Sequence, residues 1–258
     1  MCRDKETILL EGIISVKAAL DGGNRKVEKI YVDADKKSKR DRKVISFLSY
    51  LKGKNVDFEL LSREKIDKIC KDNMAGNTHG GVIAFAGHRG YLDLDEMLEG
   101  AKPGDYFVYL DGIEDPYNLG YSVRTMYALG ATGFILPDKC RFDGSGIFAK
   151  ASAGASELCK IAIAGDDGET AKLIKEKGIK IICSALSSKS EPLFDFEPKE
   201  PFVLFIGGEK RGISGEFMEN ADKVIHIPYA RDDVRFSLPA VSVCSLYAGT
   251  LFKYTLQK

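Results

Sequence analysis

The chain lacks the features by which several classes of protein are recognised. No apolar run approaches the roughly 20 residues of a transmembrane helix, so no membrane span is expected. The first residues, MCRDKETILLEG, are charged where a signal peptide needs an apolar core. With 258 residues, 44% of them hydrophobic, the chain is long enough to bury a sizeable core. A soluble, cytoplasmic protein is therefore the expectation.

Cysteine and histidine are too scattered for a metal centre. The cysteines include no Cys-x-x-Cys pair, which argues against a disulfide framework and a zinc signature and predicts free, mostly buried thiols. The histidines have no metal-ligand spacing, so no metal is predicted, and His79 is interpreted as a structural loop residue. The residues concerned are Cys2, Cys70, Cys140, Cys159, Cys183, Cys244, His79, His88 and His226.

Charge is balanced over the whole chain but not along it. Residues 1–90 hold 19 Lys and Arg against 13 Asp and Glu, whereas residues 91–258 hold 19 against 25. A basic first part predicts a polyanionic partner there. The run KKSKRDRK, residues 36–43, either contacts that partner or is a solvated helix start.

The first 90 residues alternate between helix and strand signals. GIISVKAALDGG and REKIDKICK predict helices, and VEKIYVDA, VDFELLS and GGVIAFAG predict strands. A further helix follows the basic run, with one apolar face made of Val44, Phe47, Leu48 and Leu51. Residues 1–90 are thus expected to form a small α/β domain, and residues 91–104 a connector with a short helix.

From Tyr106 onward the pattern changes to short, strongly apolar runs. Such runs are typical of strands buried on both faces of a parallel α/β sheet. Glycines cluster where the runs end, which is where open α/β sheets bind ligands. The chain then closes with an apolar helix. The runs are YFVYLDGI, GFILP, CKIAIA, IKIICSAL, FVLFIGG and KVIHIP.

The stretch from Tyr109 to Pro137 places a polar loop at the start of a helix. Proline restricts the residue before it, so Asp115-Pro116 predicts an extended turn, and Asn118 is the expected helix cap. The spacing predicts that Arg124 lies away from the buried face and reaches the mouth of the sheet. Taken alone, this is an ordinary turn with a solvated arginine. The predicted buried face is Leu119, Val123, Met126 and Tyr127, and Gly130 ends the helix.

Two later stretches complete an ordered set of three motifs. FVLFIGGEKRGIS is a strand running into glycines that allow a close backbone approach to a ligand, although it is not a dinucleotide-binding Gly-x-Gly-x-x-Gly. In VIHIPYARDDVRFSLPAVSVCSLYAG, Ser237 is the expected N-cap of the last helix. Together with Asp-Pro-x-Asn-x-Gly-x-x-x-Arg, these stretches resemble the SpoU/TrmH family of the SPOUT superfamily.

The resemblance covers residues 105–258, including the segment AKASAGASELCKIAIA, and extends more loosely to THGGVIAFA in the first part. It implies a C-terminal SPOUT domain with a parallel sheet and a deep trefoil knot, preceded by a small N-terminal α/β domain, residues 1–90, that binds the substrate. It further implies a homodimer whose partner is an RNA, either rRNA or tRNA. The implied activity is methylation of a ribose 2′-hydroxyl, with S-adenosylmethionine as the methyl donor.

The resemblance also assigns residues to the site by motif. Asn118 orders the loop and the acceptor, Arg124 orients the 2′-hydroxyl or clamps a phosphate, Glu209 pins Arg124 or its loop, and Ser237 bonds near the acceptor or cofactor. Arginine is normally protonated, which favours clamping over base catalysis. The residues implied to line the cofactor are Gly207, Gly208, Ile227, Pro228 and Leu238, assisted by Ser184 and Ala185.

One position departs from the family pattern. The third motif is usually Ser-Leu-Asn-Val-Ser, whereas here Ser237-Leu238 is followed by Pro239 and Ala240. Proline cannot supply the side-chain hydrogen bonds of an asparagine. An RNA-binding protein that has lost catalysis is therefore an alternative, and an RNA base methyltransferase on the same fold is another. Tyr117 and Tyr121 are interpreted as packing residues or as a platform for a base.

Overall fold

The computed structural model describes residues 7–73, 75–76, 78–138, 146–208, 211–234 and 236–256. These residues form two compact units, one within Met1–Gly90 and Phe142–Leu158, the other within Tyr91–Arg141 and Cys159–Lys258. Each unit has its own sheet and its own hydrophobic core.

The elements alternate along the chain as in other α/β proteins. The strands are β1 (Ile8–Glu11), β2 (Val27–Asp33), β3 (Glu59–Leu61), β4 (Val82–Ala86), β5 (Tyr106–Leu110), β6 (Gly133–Pro137), β7 (Ile161–Ala164), β8 (Lys180–Ser184), β9 (Glu191–Pro192), β10 (Phe202–Ile206) and β11 (Lys223–His226). The helices are α1 (Gly12–Gly22), α2 (Ala34–Ser38), α3 (Arg42–Gly53), α4 (Arg63–Asp72), α5 (Leu94–Leu98), α6 (Pro116–Ala128), α7 (Gly146–Ala151), α8 (Ala155–Leu158), α9 (Asp167–Glu176), α10 (Gly215–Glu219) and α11 (Ala240–Thr255), and Leu193–Asp195 form a 3₁₀ helix.

The first unit is built on a four-stranded mixed sheet of order β1-β4-β2-β3. Strand β4 is antiparallel to both β1 and β2, and β2 is parallel to β3. The predicted strands and helices of this part are confirmed, and β1, which the sequence analysis did not predict, is added at the edge. Helix α3 buries the predicted face, Val44, Phe47, Leu48 and Leu51.

Helices α7 and α8 pack with the first unit, although the sequence analysis placed them in the second domain. Glu157 of α8 is fully buried and pairs with Arg25, with Nε to Oε2 at 2.7 Å and Nη2 to Oε1 at 3.0 Å. Lys150 of α7 donates to Glu11 at 2.7 Å. Two-point bonding between a buried guanidinium and a carboxylate fixes their orientation as well as balancing their charge. These pairs join distant parts of the chain within one unit.

The second unit is built on a seven-stranded sheet of order β7-β6-β5-β10-β8-β11-β9. Every pairing in it is parallel, which confirms the prediction from the apolar runs. Tyr109, Phe205 and Phe217 pack together in its core, with ring centroids 4.3 to 4.9 Å apart. The two-residue strand β9 has no apolar pattern and was not predicted.

Helix α6 differs in detail from the prediction. Leu119, Val123 and Met126 are buried as expected, but Tyr127 is 37% exposed, so the prediction that it is buried is wrong. Ser122 completes the buried face instead, next to Cys244 of α11, the helix against which α6 packs. The centre of the buried face of α6 is therefore shifted toward Ser122 and away from Tyr127, compared with the face that the hydrophobic residues alone indicate.

The thiols agree with the prediction where the structure describes them. Cys70, Cys159, Cys183 and Cys244 are free and buried. Cys2 and Cys140 lie outside the described residues. In the described part of the chain, no helix is both long and apolar enough to cross a membrane.

Candidate functional site

The carboxyl ends of three neighbouring strands of the second unit surround a cavity of about 720 Å³, here called the strand-end cavity. Strands β8, β10 and β11 end at it with Ser184, Ile206 and His226. This is the edge at which open parallel sheets bind ligands. All the residues predicted to line the cofactor lie on its wall, together with Ser237: Ser184, Ala185, Gly207, Gly208, Ile227, Pro228 and Leu238.

Two glycines form one wall of the strand-end cavity because no larger residue fits. A Cβ on Gly207 would lie 2.3 Å from the carbonyl carbon of Gly212, and a Cβ on Gly208 would lie 2.3 Å from the carbonyl oxygen of Gly112. The backbone N–H of Gly212 donates to the carbonyl of Gly208 at 3.0 Å, which closes the loop after β10. The sequence predicted close approach to a ligand, but the contacts here are between backbone segments.

Helix α11 contributes Ala240 and Val243 to the lining of the strand-end cavity and is bonded to the strands beside it. The buried hydroxyl of Tyr247 donates to the carbonyl oxygen of Ile225 at 3.0 Å, and the N–H of Ala185 donates to the same oxygen at 3.0 Å. Burial raises the pKa of Tyr247 to about 12, so this hydroxyl stays protonated as a donor at neutral pH. The carbonyl oxygen of Ile225 in β11 therefore accepts hydrogen bonds from both α11 and the end of β8, which holds the three elements together beside the cavity.

A smaller cavity of about 200 Å³, here called the loop cavity, adjoins the first. Asn118, a predicted catalytic residue, lines it, and Gly208 and Ala240 line both cavities. The structure therefore brings Asn118 next to the predicted cofactor-lining residues. The rest of the wall comes from the loop between β5 and α6: Gly112, Ile113, Glu114 and Asp115.

Asp115, and not Asn118, caps helix α6. Asp115 is extended, with φ −93° and ψ 123°, and its carboxylate accepts from the N–H of Asn118 at 2.8 Å. Pro116 takes the first helical position, where its missing N–H costs nothing. The prediction that Asn118 is the cap is therefore wrong. Since Asp115 satisfies the helix end, the exposed Asn118 amide is left for another partner.

Arg124 lies on the exposed side of α6 and lines neither cavity. It shares that side with Tyr117 and Tyr121, which precede it by seven and three residues. Both tyrosines are 45% exposed, and their ring centroids are 6.4 Å apart. The structure thus shows a row of two rings and a guanidinium on one helix face, whereas the sequence predicted that Arg124 reaches the mouth of the sheet.

The third motif begins helix α11 two residues later than predicted. Pro239 is the N-cap, without a side-chain hydrogen bond, and its carbonyl accepts from the N–H groups of Ser242 and Val243 at 2.8 and 3.0 Å. The prediction that Ser237 is the N-cap is wrong, because proline fixes the φ angle at the entry to the helix. Pro239 is exposed, and buried Ala240 faces both cavities. Glu209 lies outside the described residues.

A loop at the strand-end cavity contains residues that the sequence analysis missed. Tyr229 donates its hydroxyl to the carbonyl of Phe236 at 3.4 Å, and Arg231 pairs with Asp233 at 2.9 Å. Phe236 is 70% exposed although it lines the cavity. The aromatic and basic residues between IP and SL in the sequence were the available signal. They give this cavity a polar and aromatic rim above apolar walls.

Two features bear on what the strand-end cavity can hold. His226 lines it, and the buried Nδ1 of that ring has no hydrogen-bond partner within the residues described. Among those same residues, no group of three or more His, Cys, Asp or Glu is arranged to hold a metal ion. The cavity walls combine backbone groups next to glycines, apolar side chains and this single buried nitrogen.

Comparison with known proteins gives matches to both parts of the chain. The SpoU rRNA Methylase family matches residues 105–235, and the family described as RNA 2'-O ribose methyltransferase substrate binding matches residues 9–91. The putative TrmH family tRNA/rRNA methyltransferase YacO of Bacillus subtilis is 29% identical over 80% of this chain and 81% of its own. The 23S rRNA (guanosine-2'-O-)-methyltransferase RlmB of Ralstonia nicotianae is 29% identical over 86% of each chain.

Solved structures share the fold over nearly the whole chain. The AdoMet-bound rRNA methyltransferase from Sinorhizobium meliloti has a TM-score of 0.76 at 22% identity, covering 96% of this chain and 87% of that protein. The SpoU methyltransferase AviRb from Streptomyces viridochromogenes, in complex with AdoMet, has a TM-score of 0.76 at 18% identity, covering 98% and 92%. At these identities the similarity establishes the fold.

Proposed function

Because the chain belongs to the SpoU rRNA Methylase family, we propose that it transfers a methyl group from S-adenosylmethionine to a guanosine ribose 2′-hydroxyl of large-subunit ribosomal RNA. The observation that carries the proposal is the pair of adjoining cavities, one lined by the cofactor motifs and the other by Asn118. Methyl transfer needs donor and acceptor side by side, and two neighbouring cavities meet that need. The choice of guanosine follows from the RlmB relative of similar length.

The strand-end cavity fits S-adenosylmethionine. Its volume of about 720 Å³ lies within the usual range for small-molecule sites, about 300–1,000 Å³. Leu238, Ile227 and Pro228 offer apolar contacts, and the backbone beside Gly207 and Gly208 offers hydrogen bonds. The unpartnered Nδ1 of His226 adds a polar contact. When bound, S-adenosylmethionine supplies a methyl group activated by its positively charged sulfur.

The chain's own residues act on the acceptor. A ribose hydroxyl is a poor nucleophile until its proton is removed or its oxygen is oriented. In this proposal Asn118 holds the ribose in the loop cavity, Ser237 bonds beside it, and Arg124 clamps an RNA phosphate. Glu209 forms a charge-assisted bond that holds either Arg124 or the loop of Arg124 in place. Arginine stays protonated at physiological pH, so a clamp suits it better than a general base.

The two parts of the chain have separate roles in the proposal. Residues 1–90 bind the RNA substrate, residues 91–104 connect, and residues 105–258 carry the methyltransferase site. The substrate-binding family match to residues 9–91 supports the first assignment. The exposed Tyr117, Tyr121, Leu246 and Phe252 on α6 and α11 support a homodimer formed through these helices. Cytoplasmic localisation follows from ribosomal RNA as the substrate.

A second candidate is an RNA-binding protein of the same fold without catalysis. The observation that favours it is Ala240, which faces both cavities near the position where the family motif has an asparagine. An alanine side chain cannot orient a hydroxyl. Under this alternative the protein binds RNA but produces no methylated nucleoside.

Methyl transfer itself tests the proposal. The protein is incubated with S-adenosylmethionine and unmodified transcripts of 23S rRNA or tRNA, and the RNA is digested to nucleosides for mass spectrometry. We expect 2′-O-methylguanosine from the rRNA. A base-methylated product, or no product with either RNA while calorimetry shows cofactor binding, contradicts the proposed reaction.

A matched pair of variants tests the cavity. Leu238→Asp introduces a charge into the wall of the strand-end cavity, whereas Leu256→Asp makes the same change at a residue that is 69% exposed. We expect only Leu238→Asp to abolish cofactor binding by calorimetry. Equal binding by both variants would show that the cofactor lies elsewhere.

A further inference from the structure

The positive charge of the first 90 residues is concentrated in one short segment, here called the basic turn, residues 36–43. This segment contains six Lys and Arg and one Asp. The rest of the first 90 residues contains 13 Lys and Arg against 12 Asp and Glu, so it is nearly neutral. The basic turn is therefore the densest run of positive charge along this part of the chain, and it is where the predicted polyanionic partner is expected to bind.

The backbone of the basic turn is held in a fixed shape. It joins α2 to α3 through Arg40, which adopts the left-handed conformation with φ +53°. Asp33 caps α2, accepting from the N–H of Lys36 at 3.2 Å, and Asp41 caps α3, accepting from the N–H of Val44 at 3.1 Å. The N–H of Asp41 donates to the carbonyl of Lys36 at 2.9 Å, which closes the turn. A preformed turn loses little freedom when it binds.

One lysine of the turn serves as its anchor. The Nζ of Lys36 donates to the carbonyl of Gly80 at 2.9 Å and lies 3.8 Å from Asp41. The Gly80 loop is held by the fully buried His79, which accepts from the N–H of Gly81 at 3.1 Å and bonds to Asp67 at 2.8 Å. His79 is thus structural, as the sequence analysis expected, and Lys36 is used within the protein.

The other cations of the turn are exposed, and none of them forms an ion pair with a carboxylate in the described part of the chain: Lys37, Lys39, Arg40, Arg42 and Lys43. Asp41 already caps α3, and its charge acts on Lys36 and Lys43. Elsewhere in the unit, Lys29 pairs with Glu59 at 2.9 Å and Lys54 with Asp21 at 2.6 Å. Six cations crowded around a single carboxylate repel one another, and an added anion relieves that repulsion.

We propose that the five exposed cations of the basic turn bind phosphates of the RNA substrate. The inference rests on the proposed function and adds the surface by which the first unit contacts its RNA. Residues 36–43 contain no aromatic side chain on which a base could stack, so the contact is to the sugar-phosphate backbone. Phosphate contacts position an RNA but carry no sequence information. The basic turn therefore sets affinity, and the modified nucleotide is selected elsewhere.

Two triple variants with identical chemistry test the proposal. The first replaces Lys37, Lys39 and Lys43 of the basic turn by Gln. The control replaces Lys65, Lys68 and Lys71 of α4 by Gln; these are also exposed but lie among Glu64, Asp67 and Asp72. Binding to a 23S rRNA transcript is measured without S-adenosylmethionine at several salt concentrations, and circular dichroism confirms that both variants fold.

We expect the basic-turn triple to bind about tenfold more weakly near 0.15 M salt, and its log–log salt slope to fall by about 2 to 3, close to one per lost phosphate contact. The control triple should change affinity by less than about twofold. Equal losses in both triples, or unchanged affinity and slope in the first, would overturn the proposal.

Failure of the proposed reaction is distinguishable from failure of this inference. RNA binding is measured without the methyl donor, so it does not depend on catalysis. If the unaltered protein makes no methylated nucleoside but the basic-turn triple still loses RNA affinity, the phosphate-binding surface is supported and the proposed function is contradicted. If methylation occurs and both triples bind RNA equally, the proposed reaction is supported and the proposed phosphate-binding surface is contradicted.

Discussion

At the scale of single residues, a substitution of Arg124 is expected to change catalysis without changing stability. It is exposed, so its replacement by alanine removes no buried contact. We predict that Arg124→Ala keeps its cofactor affinity and unfolding midpoint but loses about 100-fold or more in kcat/KM, the usual scale for removing one donor that stabilises or positions a reacting group. Methyl transfer to rRNA, calorimetry and urea unfolding give the three readouts.

Arg124→Lys is the informative control. Lysine keeps the charge but lacks the planar fork that bonds a phosphate at two points. We expect it to recover only part of the lost activity. Full recovery of activity in Arg124→Lys would indicate that only the positive charge matters. Unchanged turnover in Arg124→Ala would show that Arg124 has no role in the reaction.

Gly208 is a second single position with a measurable consequence. A Cβ there would lie 2.3 Å from the carbonyl oxygen of Gly112, which is backbone and cannot move aside cheaply. We predict that Gly208→Ala lowers the free energy of unfolding by about 1–3 kcal/mol and weakens cofactor binding, because the loops that form both cavities must separate.

Gly215→Ala makes the same chemical change in open space. Nothing lies within 4 Å of the added Cβ, and Gly215 is the first residue of α10. Alanine favours a helix over glycine, so stability should stay equal or rise by up to about 1 kcal/mol. A loss of cofactor affinity in both variants would contradict the crowding explanation.

The motif residues could be found from the sequence, but their local roles could not always be assigned. The residues that the family resemblance implied for the cofactor all lie on one cavity, because the motifs that carry them are visible in the chain. The helix caps were misassigned, since Asp115 and Asn118 are both good capping residues and only the backbone decides between them. Ala240 carries no chemical signature and was missed, and Phe236 was missed although it is one of the aromatic residues between IP and SL.

At the scale of elements, α11 contains two tyrosines that test how the strand-end cavity is held. Tyr247 donates to Ile225 beside the cavity, and Tyr254 donates to Phe196 at 3.2 Å, away from it. Each Tyr→Phe variant loses one hydrogen bond, worth about 0.5–1.5 kcal/mol of stability. We predict that only Tyr247→Phe also weakens cofactor binding, by less than about tenfold.

Calorimetry on both variants, with urea unfolding alongside, checks this prediction. Ile225 still accepts from Ala185 in Tyr247→Phe, so the carbonyl is not left unsatisfied. Equal cofactor affinity in the two variants would mean that α11 does not control the cavity wall.

Elements with long or strongly apolar patterns were predictable, whereas short elements were not. Strand β9 has two residues and is defined by its pairing with β11 alone. The sequence analysis placed helices α7 and α8 in the second domain, whereas the structure groups them with the first unit through Arg25–Glu157 and Lys150–Glu11, which are pairs between residues more than 130 positions apart. No local pattern encodes such distant pairs.

At the scale of the whole molecule, the parallel class of the large sheet could be predicted but not its strand order. Strands β5 and β10 are neighbours although four strands lie between them in the chain. Buried strands look alike in composition, so their order depends on long-range packing. The trefoil knot, implied by the family resemblance, stays a prediction.

The buried thiols predict how the whole molecule responds to alkaline pH. Burial raises the pKa of Cys70 to about 11 and that of Cys183 and Cys244 to about 12, from an ordinary value of 9.0. The unfolded chain therefore loses these protons at lower pH than the folded protein does. Stability is fully present below about pH 9 and falls as the pH rises toward 11 or 12, because deprotonation then favours unfolding.

Each of the three thiols contributes a slope of up to about 1.4 kcal/mol per pH unit within that window. We predict that urea unfolding under reducing conditions gives similar stability at pH 7 and 8 and a steep decline above pH 9. Cys244→Ala should start less stable, because it leaves a cavity, but should decline less steeply, because one raised pKa is gone. A decline as steep as that of the unaltered protein would show that Cys244 does not hold its proton in the folded state.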